Sequence, residues 1–400
     1  MKFVILGTGI AGLTVAKTIR QHDKISEIIM IGEEDYLTYN RPMITKAPLR
    51  GFDYSHFIVE NKSWYQQKNI KILTNKKILK LEPATKTILL EEDVQITYDK
   101  CIYALGAKSR VPNIKGADNN HVLVARTIDD IAQIRKKMLI SKCAVVIGGG
   151  VVGLEIAWEL KKSGIKVTIL EAAPHLMGNL LDKDSATLFT KKVRDAGINV
   201  YTNVEIEEIT QTTVKTASNS NIEADMVIMA CGIKANIDLA IDANIDVDSA
   251  VIVNEKMQTN IDDIYACGDC ASYQRNNFGL INEAVAQAEV VALNICQIKK
   301  TYDIVDRAVL FNGMNTALFA TGKLFGDEVV ALNYQQDKDE QLLVNTLLPS
   351  SKTQVRYFFE KDKIVGGVII GDLKEMSNLK TAVIQKCSKE EFLGRCTHVK

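Results

Sequence analysis

The sequence has no surplus of either charge: 49 Lys and Arg balance 49 Asp and Glu across 400 residues. A general nucleic-acid binder carries a basic excess, so that class is set aside, although local patches stay open. There is no apolar run long enough for a membrane span. The short apolar start after Met1-Lys2 is broken by glycine and followed by Lys17 and Arg20, which does not suit a secretory signal, and a soluble cytoplasmic protein is expected. The five histidines do not cluster with the eight cysteines, so no zinc site is expected. The cysteines, at 101, 143, 231, 267, 270, 296, 387 and 396, are scattered, unlike a secreted disulfide framework. Cys143 and Cys231 sit inside apolar strands, where a free cysteine behaves as a small hydrophobe. A hydrophobic fraction of 46% is enough for full cores, and the length predicts two or three domains.

What is present is one short motif used twice. Val4-Ile5-Leu6-Gly7-Thr8-Gly9-Ile10-Ala11-Gly12-Leu13 and Val145-Val146-Ile147-Gly148-Gly149-Gly150-Val151-Val152-Gly153-Leu154 each read as a buried strand, then G-x-G-x-x-G, then a helix. The first glycine allows a tight turn, the second lets a pyrophosphate approach the backbone, and the third lets helix pack on strand. The free N–H groups at the helix start then hold the phosphate charge. Each copy leads to a second apolar strand that ends in acid, Ile28–Ile31 with Glu33 and Glu34, and Val167–Leu170 with Glu171. An acid there accepts hydrogen bonds from a ribose hydroxyl. Ordinary Rossmann turns that hold no dinucleotide are the bland alternative for either copy.

Both units follow one plan. In the first, a meander is expected through Ile78–Leu81, Thr87–Glu91 and Val94–Tyr98, and a closing strand ends in Ala104-Leu105-Gly106. In the second, the meander is Ile198–Tyr201, Val204–Ile209 and Thr213–Thr216, and the closing strand ends at Gly232. This is an internal duplication of architecture. The fold class is α/β: two Rossmann-like dinucleotide-binding domains, the second inserted in the first, plus a small α+β C-terminal domain. The expected boundaries are 1–111 with 241–305, then 112–240, then 306–400. A helix from about Asn282 to Lys299 belongs to the first domain. The C-terminal domain is read as strands Val329–Leu332 and Leu342–Thr346, a hairpin Val355–Phe359/Ile364–Ile370, and a helix from Lys374 to Lys386.

With these motifs in place, the chain resembles the FAD-dependent pyridine-nucleotide oxidoreductases, the two-dinucleotide-binding-domain flavoproteins, and most of all their NADH:rubredoxin reductase branch. The resemblance is strong over roughly 1–300 and weaker beyond. It is carried by the two fingerprints, by Tyr39-x-Arg41-Pro42 with Lys46 at the lysine of an R-P-x-x-S-K pattern, by Ala104-Leu105-Gly106, and by Ile264-Tyr265-Ala266-Cys267-Gly268-Asp269. It implies that Gly7, Gly9, Ile10, Ala11 and Gly12 hold the ADP half of FAD, with Glu33 or Glu34 on its ribose. Arg41, Lys46, Ala104, Gly106 and Asp269 complete the FAD site, Asp269 on the ribityl chain. Gly148, Gly150, Val151, Val152, Gly153, Glu171 and Gly232 would hold NADH. A carboxylate at 171 repels a 2′-phosphate and favours NADH over NADPH. Lys46 and Glu155 would form a partly buried ion pair near the reacting rings, either positioning hydride transfer or docking the domains; the chemistry itself belongs to the cofactor.

The cysteines choose among branches. Cys267-Gly268-Asp269-Cys270 spells C-x-x-C, a redox disulfide on one reading. On the other it overlaps the FAD-binding Gly-Asp motif and has no redox part, which is the reading taken. Without a disulfide relay, reduced flavin passes electrons directly to a small redox protein, rubredoxin or a ferredoxin-like carrier. Lys76-Lys77-Lys80, Arg135-Lys136-Lys137 and Lys299-Lys300 are candidate basic docking faces or plain solvated surface. Two other functions stay open: an NADH oxidase or peroxidase, and a flavoprotein that senses NADH.

Overall fold

The computed structural model describes residues 1–46, 53–178, 180–277, 279–304, 307–334, 342–343 and 353–396. The chain divides into two compact units. The first comprises Met1–Ile44, Asp53–Lys108 and Ile233–Val305; the second comprises Thr45–Phe52, Ser109–Gly232 and Asp306–Lys400.

The first unit is built on a five-stranded sheet. Its strands lie in the order Ile264–Ala266, Lys100–Tyr103, Lys2–Leu6, Glu27–Ile31, Ile70–Leu73, and every pairing is parallel. Phe3 to Leu6 form an unbroken apolar run because both faces of a parallel sheet are covered. Helices Ile10–His22 and Ile281–Ile295 pack on each other there. The latter helix ends earlier than the expected Lys299. Cys296 caps it, Gln297 turns left-handed, and the Asn294 side chain donates to the Lys300 carbonyl. A three-stranded meander, Ile78–Glu82, Thr87–Leu90 and Gln95–Thr97, completes this unit's sheets of that size.

In the second unit the order is Asn199–Tyr201, Lys166–Leu170, Cys143–Ile147, Met226–Met229, Val122–Val124, again all parallel. The Ile198–Tyr201 segment, expected to open the meander, is therefore the outer strand of the parallel sheet. The meander is instead Ile206–Ile209, Thr213–Thr216 and Asn221–Glu223. An edge strand exposed on alternate residues has the same sequence pattern whichever partner it takes.

Residues from 307 onward form a six-stranded antiparallel sheet among the described residues, backed by helices Met376–Gln385 and Lys389–Arg395. The apolar face includes Val355, Tyr357, Phe359, Leu379 and Phe392, a core of its own. Strands Val309–Gly313 and Thr316–Gly322 and the last helix were not expected, and residues 344–346 of one expected strand lie outside the described residues. Phe311 meets Phe189 edge-on at 5.4 Å, and Arg356 reaches Asp182 and Asp184 at 3.0 Å each.

Candidate functional site

In the first fingerprint each glycine has a distinct surrounding. Gly7 has φ +120°, and a Cβ there would lie 2.1 Å from the Ala104 carbonyl oxygen. A Cβ on Gly12 would lie 2.3 Å from the Gly7 carbonyl. These two are demanded by backbone approach. A Cβ on Gly9 would meet nothing within 4 Å. Gly9 thus borders open space, and it caps a helix whose first N–H groups receive no side-chain cap. Uncapped donors beside open backbone are what a bound phosphate needs.

The other first-unit residues converge on this helix start. Thr38 donates to the Thr8 carbonyl at 2.6 Å, which ties the 33–44 segment to the fingerprint. Arg41 Nη2 meets Glu34 Oε1 at 2.5 Å, Tyr39 donates to Glu34 Oε2 at 2.6 Å, and the guanidinium lies over the Tyr39 ring at 4.7 Å. Burial opposes the Arg41 charge, but Tyr39, Glu34 and Asp269 outweigh it and hold its pKa up. Glu34 is thus engaged, whereas Glu33 is exposed. A Cβ on Gly268 would lie 3.0 Å from Ala11 Cβ, so the Gly268-Asp269 turn rests on the same helix end. Cys267 and Cys270 flank it, both 0% exposed. Burial pushes both thiols up, Cys270 to about 12, and its Sγ donates to the Tyr103 carbonyl at 3.4 Å. Since the thiolate is the reactive form, burial disfavours a redox part for either.

The second fingerprint repeats the plan. Gly148 has φ +111° and would clash with the Ala230 carbonyl, Gly153 would clash with the Gly148 carbonyl, and Gly150 again faces open space at an uncapped helix start. Val151 is half-buried and Val152 exposed at that start, and Gly232 has φ +92° with nothing near its Cβ position. Glu171 is held by two backbone donors: the Gly149 N–H reaches Oε2 at 2.5 Å and the Ala173 N–H reaches Oε1 at 2.7 Å. The first copy differs here. Ile31 and Leu170 occupy matching register positions, so Gly32 stands where the second copy has Glu171. A Cβ on Gly32 would lie 2.2 Å from the Thr8 hydroxyl.

Lys46 belongs to the second unit with Glu155. Its Nζ lies 3.6 Å from Glu155 Oε1, with the lysine side chain 35% exposed and the glutamate 5%. Thr45 donates to Glu155 Oε2 at 2.5 Å. Burial raises the Glu155 pKa, opposed first by Thr45 and then by Lys46. Sequence reasoning missed Thr45, although it holds the hydroxyl position of the R-P-x-x-S-K pattern. In each unit an open glycine, an uncapped helix and a nearby acid fit a dinucleotide. Among the described residues no helix is long and apolar enough to cross a membrane.

A family model described as pyridine nucleotide-disulphide oxidoreductase matches residues 1–288. NADH-rubredoxin oxidoreductase of Clostridium acetobutylicum is 28% identical over 382 residues, 96% of this chain and 94% of that protein. NADH oxidase of Methanocaldococcus jannaschii is 30% identical over 421 aligned positions, 98% of this chain and 93% of that protein. Nitrite reductase [NAD(P)H] of Bacillus subtilis is 30% identical over 403, but this chain spans only 49% of its length. The crystal structure of the Clostridium acetobutylicum NADH:rubredoxin oxidoreductase superposes with a TM-score of 0.78 at 27% identity, covering 97% of this chain and 96% of that one. With the fingerprints, the sheets and these matches agreeing, the chain belongs to the pyridine nucleotide-disulphide oxidoreductase family and is an FAD-dependent NAD(P)H oxidoreductase.

Proposed function

We propose that the chain takes hydride from NADH and passes electrons singly to a small redox protein, with rubredoxin as the acceptor. The observation that carries this reading is the state of the C-x-x-C cysteines. Both thiols are fully buried with raised pKa values, which supports direct delivery from the flavin over a disulfide relay. The flavin, when bound, accepts electrons as a pair and releases them one at a time.

The chain's own residues divide the work. Residues 1–111 and 241–305 form the FAD-binding domain, 112–240 the NADH-binding domain, and 306–400 a third domain. Gly7, Gly9, Ile10, Ala11 and Gly12 offer the uncapped helix start to the FAD pyrophosphate. Arg41, Ala104, Gly106 and Asp269 line the same site, and Glu33 or Glu34 serves the ribose. Exposed Glu33 is the better suited, because Glu34 is engaged by Arg41 and Tyr39. Gly148, Gly150, Val151, Val152, Gly153 and Gly232 receive NADH, and the doubly held Glu171 accepts from its ribose. Its negative charge disfavours a 2′-phosphate. Lys46 and Glu155 would supply the charged pair for hydride transfer.

The test is anaerobic. NADH is added to the yellow holoenzyme, flavin bleaching is recorded, and oxidised rubredoxin follows. Rapid bleaching and then rubredoxin reduction within turnover time is the expected result. Bleaching reversed only by oxygen or peroxide would instead place the chain with the NADH oxidases, a reading the Methanocaldococcus relative favours.

A further inference from the structure

The hydroxyl that meets Glu155 has no part in the reading above. Thr45 is 5% exposed and donates to a carboxylate 110 positions away in sequence. The other carboxylate oxygen, Oε1, is buried without a hydrogen-bond partner. Lys46 at 3.6 Å acts on it as a charge, beyond hydrogen-bond length. The lysine is also on a flexible stem and partly in solvent, so it cannot fix the plane of the carboxylate. Thr45 can: its β-branched side chain has few χ1 choices, which fixes the direction of the hydroxyl.

We infer that Thr45 is the positioning residue of the Lys46–Glu155 pair: its hydroxyl orients the Glu155 carboxylate and keeps it ionised beside Lys46. This rests on the proposed role of that pair in hydride transfer. The charged groups that bear on Glu155 are Lys46, from the segment that carries Thr45, and Glu159, one turn along its own helix. Glu159 is itself buried and paired to Lys162 at 2.6 Å. Burial and Glu159 favour the protonated acid; Thr45 and Lys46 favour the anion. Of the contributions that favour the anion, the Thr45 hydrogen bond is the largest. Loss of an O–H donor to a buried carboxylate raises its proton affinity about tenfold or more, a shift of about one pH unit.

The experiment compares Thr45→Val, Thr45→Ser and Glu155→Gln in the flavin-loaded protein. Infrared difference titration without NADH reads the protonated carboxyl band that Glu155→Gln removes. Thr45→Val is expected to move that titration up by about one pH unit or more, and Thr45→Ser to restore it. The acid limb of anaerobic flavin bleaching by NADH should move by the same amount. A valine variant whose carboxyl titrates with the wild type, even if slower, overturns the inference and leaves Thr45 a structural tether. Thr45→Ala gives the same readout should the valine variant not fold. If Glu155→Gln leaves bleaching unchanged at every pH while Thr45→Val still moves the carboxyl band, the pair's role in hydride transfer falls and the inference about Glu155's ionisation stands.

Discussion

The two fingerprints share a motif and differ in how they seat their acid. In the second, Gly149 leaves room beside the strand end, and the Glu171 carboxylate fills it, bonded to the Gly149 N–H. A Cβ on Gly149 would lie 3.1 Å from Glu171 Oε2 and 2.3 Å from Leu176 Cδ2. In the first, Thr8 stands in the place of Gly149 and its side chain takes the room, so the strand end must be Gly32. The acid is displaced onward to Glu33 and Glu34. One side chain fits in that space, contributed from either strand end. The lesson is that G-x-G-x-x-G followed by an acid describes two different local packings, and the residue between the first two glycines signals which one is present.

The largest effects should come from the shared part of the motif. Gly7→Ala and Gly148→Ala each force a Cβ into a carbonyl at positive φ. Strain of about 1–3 kcal/mol plus the clash is expected for each. The first should lose flavin, read as the absorbance of the purified protein. The second should keep flavin and raise the KM for NADH roughly tenfold or more.

The swap itself is tested next. Gly32→Ala should destabilise the protein by about 1–3 kcal/mol through overpacking against Thr8. Adding Thr8→Gly should recover much of that, with a coupling of about 0.5–3 kcal/mol in denaturant unfolding. Additive losses would show that Thr8 and Gly32 do not share the space. In the second copy, Glu171→Ala with Ala172→Arg should move preference towards NADPH, measured as the ratio of the two kcat/KM values. An unchanged ratio would mean that Glu171 does not contact the ribose.

The units should also separate with pH. His121, in the second unit, is 4% exposed and both its ring nitrogens are buried. Burial and then Lys137 lower its pKa below the usual 6.5, against a smaller opposing contribution from the Thr210 backbone. The unfolded chain therefore binds this proton more readily. The stabilising contribution is present above pH 6.5 and is lost as pH falls through the lower folded value. The protection of the Val227 amide, whose N–H donates to the His121 carbonyl at 2.9 Å, should fall on acidification once exchange is corrected for its intrinsic pH dependence, and His121→Gln should flatten the trend. The smallest effect should be that of Cys267→Ala with Cys270→Ala. NADH oxidation should stay within about twofold, with a packing loss of roughly 1 kcal/mol or more; a large activity loss with flavin retained would restore a redox role to the pair.

Much of the fold was legible because its signals are local. A strand, three spaced glycines and a helix lie within a dozen residues, so both fingerprints could be placed from sequence. What was missed depends on partners far along the chain. Asn199–Tyr201 shows the alternation of a meander strand, and only its parallel pairing with Lys166–Leu170 assigns it to the other sheet. Nearer by, Glu34 is engaged by Tyr39 and Arg41, five and seven positions on, a side-chain pairing that the fingerprint spacing does not encode. Thr45 reads as an ordinary loop residue until the helix carrying Glu155 is folded beside it. Strands Val309–Gly313 and Thr316–Gly322 are joined through Met314 and Asn315, both at positive φ. Methionine gives little turn signal there, so the hairpin went unread.

The outermost strands carry a consequence for the order of assembly on the ribosome. The second unit's parallel sheet has every strand once Met226–Met229 has been made, because its outer strand, Val122–Val124, comes first in the chain. The first unit's sheet waits for Ile264–Ala266, and Lys100–Tyr103 keeps an open hydrogen-bonding edge through the whole interval. The nascent chain therefore closes its later-starting sheet first. The first unit, although it begins the sequence, is the one left exposed to mispairing during synthesis.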